Sequence, residues 1–410
     1  MLNKLLTHKI SIPVWLLLVA AIVLYIFWEW YWYTKVGLLF IKWHTHYMPY
    51  LIVWALVILA TQLPVNKQRF VNLQLLATTV IATLCFAELV LQISGFTKTY
   101  TENRGGIYQS VFNQKGGDST RTYPPNSEHY LSSPEFHYSR KVNSEGLSDY
   151  AFLKQSDKLL IQTYGDSFTE GDGAPQDSSY PALLRNLVAN NFQIQNIGIC
   201  GNDPGFYPAQ LKRIGIKFNP NLIILCYGTG DFMADFLSRG GLERYTATGW
   251  QSRNGPWWEF IYGTSYLARP LFNAMGFRYE DFFFCKAQMP NELKNLELKW
   301  NETFVEIFSI AKQNQIAVLL IKKPERSEVV LNQYQYNMSF FDSLLLQNSN
   351  VKHFDLLPYY RNSIGLISQE TTAPYYWEKD GHHNANGYLV MAKGVLSGLK
   401  ENYPEWFGKL

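Results

Sequence analysis

The sequence predicts an α/β protein, a doubly wound and mostly parallel sheet, preceded by an N-terminal bundle of about three transmembrane helices. Two observations carry that expectation. Long apolar runs crowd the first 95 residues, and from about residue 158 short strand-like apolar runs alternate with helix-spaced ones. Of the 410 residues, those outside the apolar runs suffice for a large single core, since a soluble part of roughly 250–300 residues buries most of its apolar surface.

The run from Ile12 to about Tyr33 is almost wholly apolar, long enough at a rise of 1.5 Å per residue to cross a hydrocarbon core about 30 Å thick. Its far end gathers Trp28, Trp30, Tyr31, Trp32 and Tyr33 around Glu29, the composition of an aromatic belt at the headgroup level. A second run, Tyr50 to Leu63, stops at Pro64, and a third extends from Val71 to Ile93. The expected spans are therefore about 12–33, 49–64 and 71–94, with domain 1–95 as the anchor. Two further apolar runs after the first argue against a cleaved signal peptide. Lys4, Lys9, Lys67 and Arg69 on one side nearly balance Lys35, Lys42, Lys98 and Arg104 on the other, so basic residues alone do not orient the bundle. An odd number of spans puts the two chain ends on opposite sides, and the C-terminal domain is expected on the non-cytoplasmic side. Glu88, near the end of the third run, is expected to snorkel to the interface.

Residues 96–150, rich in Gly, Ser, Asn, Tyr and Pro, keep no sustained period and read as an extended lead-in. The domain 151–410 then begins with Lys158 to Tyr164, a strand that enters a glycine-containing turn. Tyr180 to Leu187 follows with helical spacing, and Gln193 to Gly198 reads as the next strand. Helical spacing near Tyr207 to Ile216 leads to Leu222–Cys226, a continuous apolar run of the kind found in buried parallel strands. Leu293, Leu296, Trp300, Phe304, Ile307 and Phe308 form one helix face before the strand Ile316 to Ile321, and Val351 to Leu356 is the last strand. In such sheets ligands bind beyond the carboxyl ends of the strands, so reactive residues are sought there.

Immediately after the first strand stand Gly165, Asp166, Ser167, Phe168 and Thr169, a turn that presents a serine hydroxyl at the sheet edge. Such a hydroxyl is a weak nucleophile until an adjacent base takes its proton and a carboxylate orients that base. Asp380, Gly381, His382, His383 and Asn384 supply both, just before the apolar helix Tyr388 to Leu399. Asp166 is expected to brace the nucleophile turn. Asn196, Ile197, Gly198, Ile199, Cys200 and Gly201 follow the second strand, and Gly228, Thr229, Gly230 and Asp231 the third.

These four blocks, in this order, resemble the SGNH (GDSL-type) hydrolase family over about residues 136–400. A lead-in, Asn143 to Asp149, is similar to that of envelope-associated, membrane-anchored members. The resemblance implies a flavodoxin-like doubly wound parallel sheet, an ester hydrolase that needs no cofactor or metal, Ser167 as nucleophile, and Asp380 with a histidine as acid and base. It also implies an oxyanion hole from the amides of Ser167 and Gly201 and from the third block. There the sequence departs: Gly230 stands where the family has an asparagine. Losing one such donor costs about 3 kcal/mol of transition-state stabilisation, roughly a hundredfold in rate, unless another group such as Asn202 or Thr229 replaces it. The base itself is ambiguous. A D-x-x-H spacing selects His383 as the alternate, whereas the register through Asn384 and Gly387 selects His382.

Aromatic residues make up 16% of the chain and concentrate partly in an insertion of about 236–290, which includes Trp250, Trp257, Trp258, Tyr262, Tyr266 and Phe272. It suits a cover over the site that contacts sugar rings or acyl chains, a face turned to the membrane, or ordinary packing. The expected partners are thus the lipid bilayer and a small acyl ester, glycan or lipid substrate. A net charge of +3 without a basic cluster excludes a nucleic-acid footprint. The four cysteines, Cys85, Cys200, Cys226 and Cys285, lack C-x-x-C spacing and read as free thiols. His44 and His46 are the only other histidines close in sequence, and an interfacial place is expected for them. Two alternatives to hydrolysis stay open: O-acyl transfer by the same triad, and a catalytically silent module that binds glycan or lipid.

Overall fold

A computed structural model describes residues 50, 52–53, 67–94, 111–115, 118–133, 135–152, 158–188, 192–236, 245–246, 249–250, 261–262, 265–277, 290–348, 350–365 and 367–408. The chain divides into two compact units, one of Met1–Asn103 with Trp250–Glu280 and one of Arg104–Gly249 with Asp281–Leu410. The backbone therefore passes between them after Asn103, after Gly249 and after Glu280.

In the first unit α1 runs from Lys67 to Ser94. Its Val71–Ser94 portion is the one helix among the described residues long and apolar enough to cross a membrane. Most of its apolar side chains face outward, Leu75, Leu76, Phe86 and Ile93 among them. The expected span 12–33, the pair His44 and His46 and all but Tyr50, Ile52 and Val53 of the expected span 49–64 lie outside the described residues. One expectation is corrected: Glu88 does not snorkel. It is fully buried, because backbone and hydroxyl donors around Ser265 satisfy its carboxylate within the unit.

The second unit is built on five parallel strands, β5 (Leu159–Tyr164), β6 (Phe192–Asn196), β7 (Leu222–Tyr227), β8 (Ala317–Lys322) and β9 (Val351–Asp355), in the spatial order β9-β8-β7-β5-β6. Counted along the chain this is 2-1-3-4-5, the flavodoxin-like order, whose direction reverses between β5 and β7. Alternation along β7 shows why the sheet is covered twice. Ile223, Leu225 and Tyr227 enter one core with Trp300, Phe304 and Ile307 of the helix Pro290–Gln313, while Leu222, Ile224 and Cys226 enter the other with Tyr388, Met391 and Val395 of the helix Ala385–Asn402. With both faces buried, a strand needs no polar side, and Leu222–Tyr227 is buried at every position.

The lead-in is more ordered than its composition suggests. It forms two antiparallel hairpins, β1 (Val111–Lys115) with β2 (Asp118–Thr122) and β3 (Glu128–Ser132) with β4 (His137–Lys141). Asn143 then shapes the turn to Asp149, accepting from the amides of Glu145 and Leu147. Asp149 is buried beside Arg185 at 2.9 Å and accepts from the amide of Asn196; burial, offset by those partners, still raises its pKa.

Candidate active site

At the end of β5 the chain turns sharply. A Cβ on Gly165 would run into the side chain of Thr169, so the close approach of backbone to that residue requires glycine. Asp166 caps the single helical turn Ser167–Glu170, accepting from the amide of Phe168 at 3.0 Å, and Gly171 ends the turn in the left-handed region. Ser167 thus stands at the carboxyl edge of β5, beside the point where the strand order reverses.

The loop before the helix Ala385–Asn402 brings the other partners. His382 places Nε2 2.7 Å from Ser167 Oγ, and its Nδ1 lies 2.5 Å from Asp380 Oδ1. The imidazole packs on the Phe168 ring with centroids 5.0 Å apart. One nitrogen is oriented by a carboxylate while the other meets a hydroxyl, the arrangement that makes a serine nucleophilic. His383 is carried elsewhere. Its ring is buried among Phe168, Tyr360, Tyr376 and Tyr388, with Nε2 2.8 Å from the Tyr360 hydroxyl. Burial in that aromatic box lowers its pKa to about 3, and it does not meet the serine.

The remaining blocks are fastened to the Ser167 turn. Glu170 is buried and accepts from the Tyr123 hydroxyl at 2.9 Å and the Cys200 amide at 2.5 Å, fixing the loop that carries Gly201. Asn196 Nδ2 donates to the Thr169 carbonyl at 3.0 Å. Gly201 adopts φ +72°, a conformation that favours glycine. After β7, Asp231 accepts from the Gly228 amide at 2.6 Å. At Gly230 the volume a side chain would occupy holds the Glu325 carboxylate, 2.8 Å from the position of a Cβ. Of the two groups named as replacements for the family asparagine, Thr229 spends its hydroxyl on Glu328. The Asn202 carboxamide is buried, and neither its oxygen nor its nitrogen has a hydrogen-bond partner among the described residues.

Sequence reasoning missed three side chains that hold this arrangement. Lys323, directly after β8, is buried with Nζ 3.2 Å from Asp166, 3.2 Å from Glu325 and 3.6 Å from Asp231, and 4.3 Å from the Phe168 ring centroid. Burial by itself would lower its pKa, but the surrounding carboxylates outweigh that and hold it well above an ordinary lysine. Arg140, also buried, donates from β4 to the carbonyls of Glu170 and Ala174, both at 2.7 Å, and to that of Gly171. Glu135, in the same hairpin, accepts from the amides of Glu378, Lys379 and Asp380 at 3.0, 2.9 and 2.7 Å. The rule that reactive groups follow strands points to Lys323; nothing in the local pattern marks Glu135 or Arg140.

No family model and no curated protein matches the chain. Among solved structures it is similar to a two-domain esterase active on acetylated mannans, at 12% identity over 60% of this chain, with a TM-score of 0.36. The chain spans about half of that esterase, 49% of its length. It is also similar to an acetyl xylan esterase, at 14% identity over 59% of this chain and 100% of the other, with a TM-score of 0.35. A GDSL-like lipase from Bacteroides thetaiotaomicron resembles it at 13% identity over 61% of this chain and 92% of the other, with a TM-score of 0.35.

Proposed function

We propose that the protein is a membrane-anchored serine ester hydrolase that acts through an acyl-enzyme on Ser167. The observation that carries this reading is the hydrogen-bonded series Ser167, His382, Asp380, at 2.7 and 2.5 Å. In the reaction Ser167 Oγ attacks the ester carbonyl carbon while His382 Nε2 takes the hydroxyl proton, and Asp380 accepts from Nδ1 and stabilises the imidazolium. The amides of Ser167 and Gly201 are assigned to the oxyanion. Collapse expels the alcohol, which takes the proton back from His382. Water, deprotonated by the same nitrogen, then attacks the acyl carbonyl; the carboxylic acid departs and Ser167 is regenerated.

The apolar runs of the first 95 residues, with the long apolar helix Val71–Ser94 among them, and the aromatic insertion favour a substrate held near a membrane, an O-acyl group of a cell-envelope glycan or lipid, with the hydrolase unit on the non-cytoplasmic side. The test is hydrolysis of p-nitrophenyl acetate by the full chain in detergent, beside Ser167→Ala, with labelling by a fluorophosphonate probe. Activity and labelling that both vanish in Ser167→Ala are the expected result. A silent glycan- or lipid-binding module is the second reading, favoured by Gly230 in place of the oxyanion asparagine. It gains if the folded wild type neither labels nor hydrolyses faster than Ser167→Ala.

A further inference from the structure

Glu88 lies six residues before the end of α1, about 9 Å along the axis at the helical rise. Around it Phe86, Leu89, Val90 and Ile93 are exposed apolar side chains, yet Glu88 itself is 0% exposed. A carboxylate at that level of a spanning helix is costly unless its oxygens are satisfied within the protein. They are. Oε1 accepts from the Tyr50 hydroxyl at 2.6 Å, the Ser265 hydroxyl at 2.5 Å and the Leu267 amide at 3.4 Å, and Oε2 accepts from the Tyr266 amide at 2.8 Å.

Ser265 in turn accepts from the amide of Ala268, the first residue of the short helix Ala268–Ala274. Between Ser265 and Phe277 the sequence carries a single charge, Arg269. That charge is turned inward: Arg269 is buried, donates to the Tyr262 carbonyl at 2.9 Å and lies over the Tyr266 ring at 4.1 Å. The outer surface of the segment presents Leu271, 62% exposed, and Met275, 59% exposed.

We infer that Ser265–Phe277 is a membrane-inserted element pinned to the spanning helix by Glu88, with lipid acyl chains as the partner of Leu271 and Met275. The level follows from direct bonding, because amides that touch Glu88 lie where Glu88 lies. Irregular backbone is tolerated inside a bilayer only where protein satisfies it, and here Glu88 supplies the acceptors that Tyr266 and Leu267 need. The outward apolar side chains then continue the lipid-facing surface of Phe86 and Leu89, and the inward arginine leaves no charge against it.

This inference rests on the membrane anchoring proposed above, and the experiment separates the two. Single cysteines at Leu271, Met275, Phe86 and Lys352 are introduced into the full chain carrying Cys85→Ser and Cys285→Ser, spin-labelled, and reconstituted in phosphatidylcholine vesicles. Accessibility to dissolved oxygen and to a water-soluble nickel chelate is then compared. Labels at 271 and 275 are expected to favour oxygen over nickel severalfold relative to the one at 352, as the label at 86 does. Labels at 271 and 275 that match 352 while 86 stays in lipid overturn the inference and leave the anchor standing; a label at 86 that also matches 352 removes both. Glu88→Leu, added separately to the Leu271→Cys and Phe86→Cys chains, is expected to raise nickel access at 271 severalfold without changing that at 86, whereas Glu88→Gln retains most of the protection. Unchanged access at 271 in Glu88→Leu overturns the role of Glu88 as the pin.

Discussion

His382 and His383 are neighbours with opposite fates, and the difference is environment. His382 is held at both ring nitrogens, whereas His383 gives one nitrogen to Tyr360 and is closed off by tyrosines. His382→Ala is expected to lower kcat/KM on a chromogenic ester by about a thousandfold or more, the scale of losing a triad base. His383→Phe should keep the rate within about tenfold, since it removes no group that meets the serine. The neutral His383 also sets a pH dependence of stability. Its folded pKa, about 3, lies below the unfolded value near 6.5, so the unfolded chain binds the extra proton in that window. Stability is therefore full above about pH 6.5 and falls as pH drops toward 3. Urea midpoints at pH 7 and pH 4 should differ more for wild type than for His383→Phe. Gly230→Asn adds a side-chain amide donor at the third block once Glu325 swings aside, and a gain of about tenfold in kcat is expected. Asn202→Ala should lose a similar factor if its amide, without a partner among the described residues, serves the oxyanion, and steady-state kinetics of both variants decide the point. Sequence exposed Ser167, Asp380 and the two histidines because the chemistry demands those types. It favoured His382 over the alternate His383 only through the register of Asn384 and Gly387, because spacing carries no information about which ring the tyrosines enclose.

The strands and helices of the sheet were legible for a simple reason: a strand buried on both faces is a continuous apolar run, and Leu222–Tyr227 looks like nothing else. Boundaries moved little, Gln193–Gly198 becoming Phe192–Asn196 and the helix before β7 ending at Arg213. The hairpins were not legible, because Val111–Lys115 and His137–Lys141 lack the apolar face that gives a strand its period. Yet the hairpin β3–β4 grips both halves of the site, Arg140 on the nucleophile turn and Glu135 on the loop of Asp380. Removing Arg140 leaves buried carbonyls unpaired, and Arg140→Met is expected to cost about 3 kcal/mol of stability in urea titrations of the full chain in detergent. Glu135→Gln keeps an acceptor and should act mildly, whereas Glu135→Ala frees the Asp380 loop and should lower kcat more than it raises KM.

At the scale of the whole molecule, the apolar runs and the strand–helix alternation separate an N-terminal apolar part from an α/β part, but no periodicity foretold that an insertion after β7 would belong to the other unit. The sequence alone makes the insertion one aromatic stretch of the α/β domain; Trp250–Glu280 instead clusters with the N-terminal residues, because partners such as Glu88 lie there. The connection by three strands of chain changes what proteolysis accomplishes. An enzyme hung from its anchor by one linker is shed by a single cut, as ectodomains commonly are. Here a cut near Arg104 severs the polypeptide yet leaves Trp250–Glu280 covalently part of the fragment that carries Ser167, with Ser265, Tyr266 and Leu267 still bonded to Glu88 of α1. On the proposed anchoring both fragments should therefore sediment together with membranes, and the fragment that carries Ser167 should become soluble only when the pairing at Glu88 is broken as well.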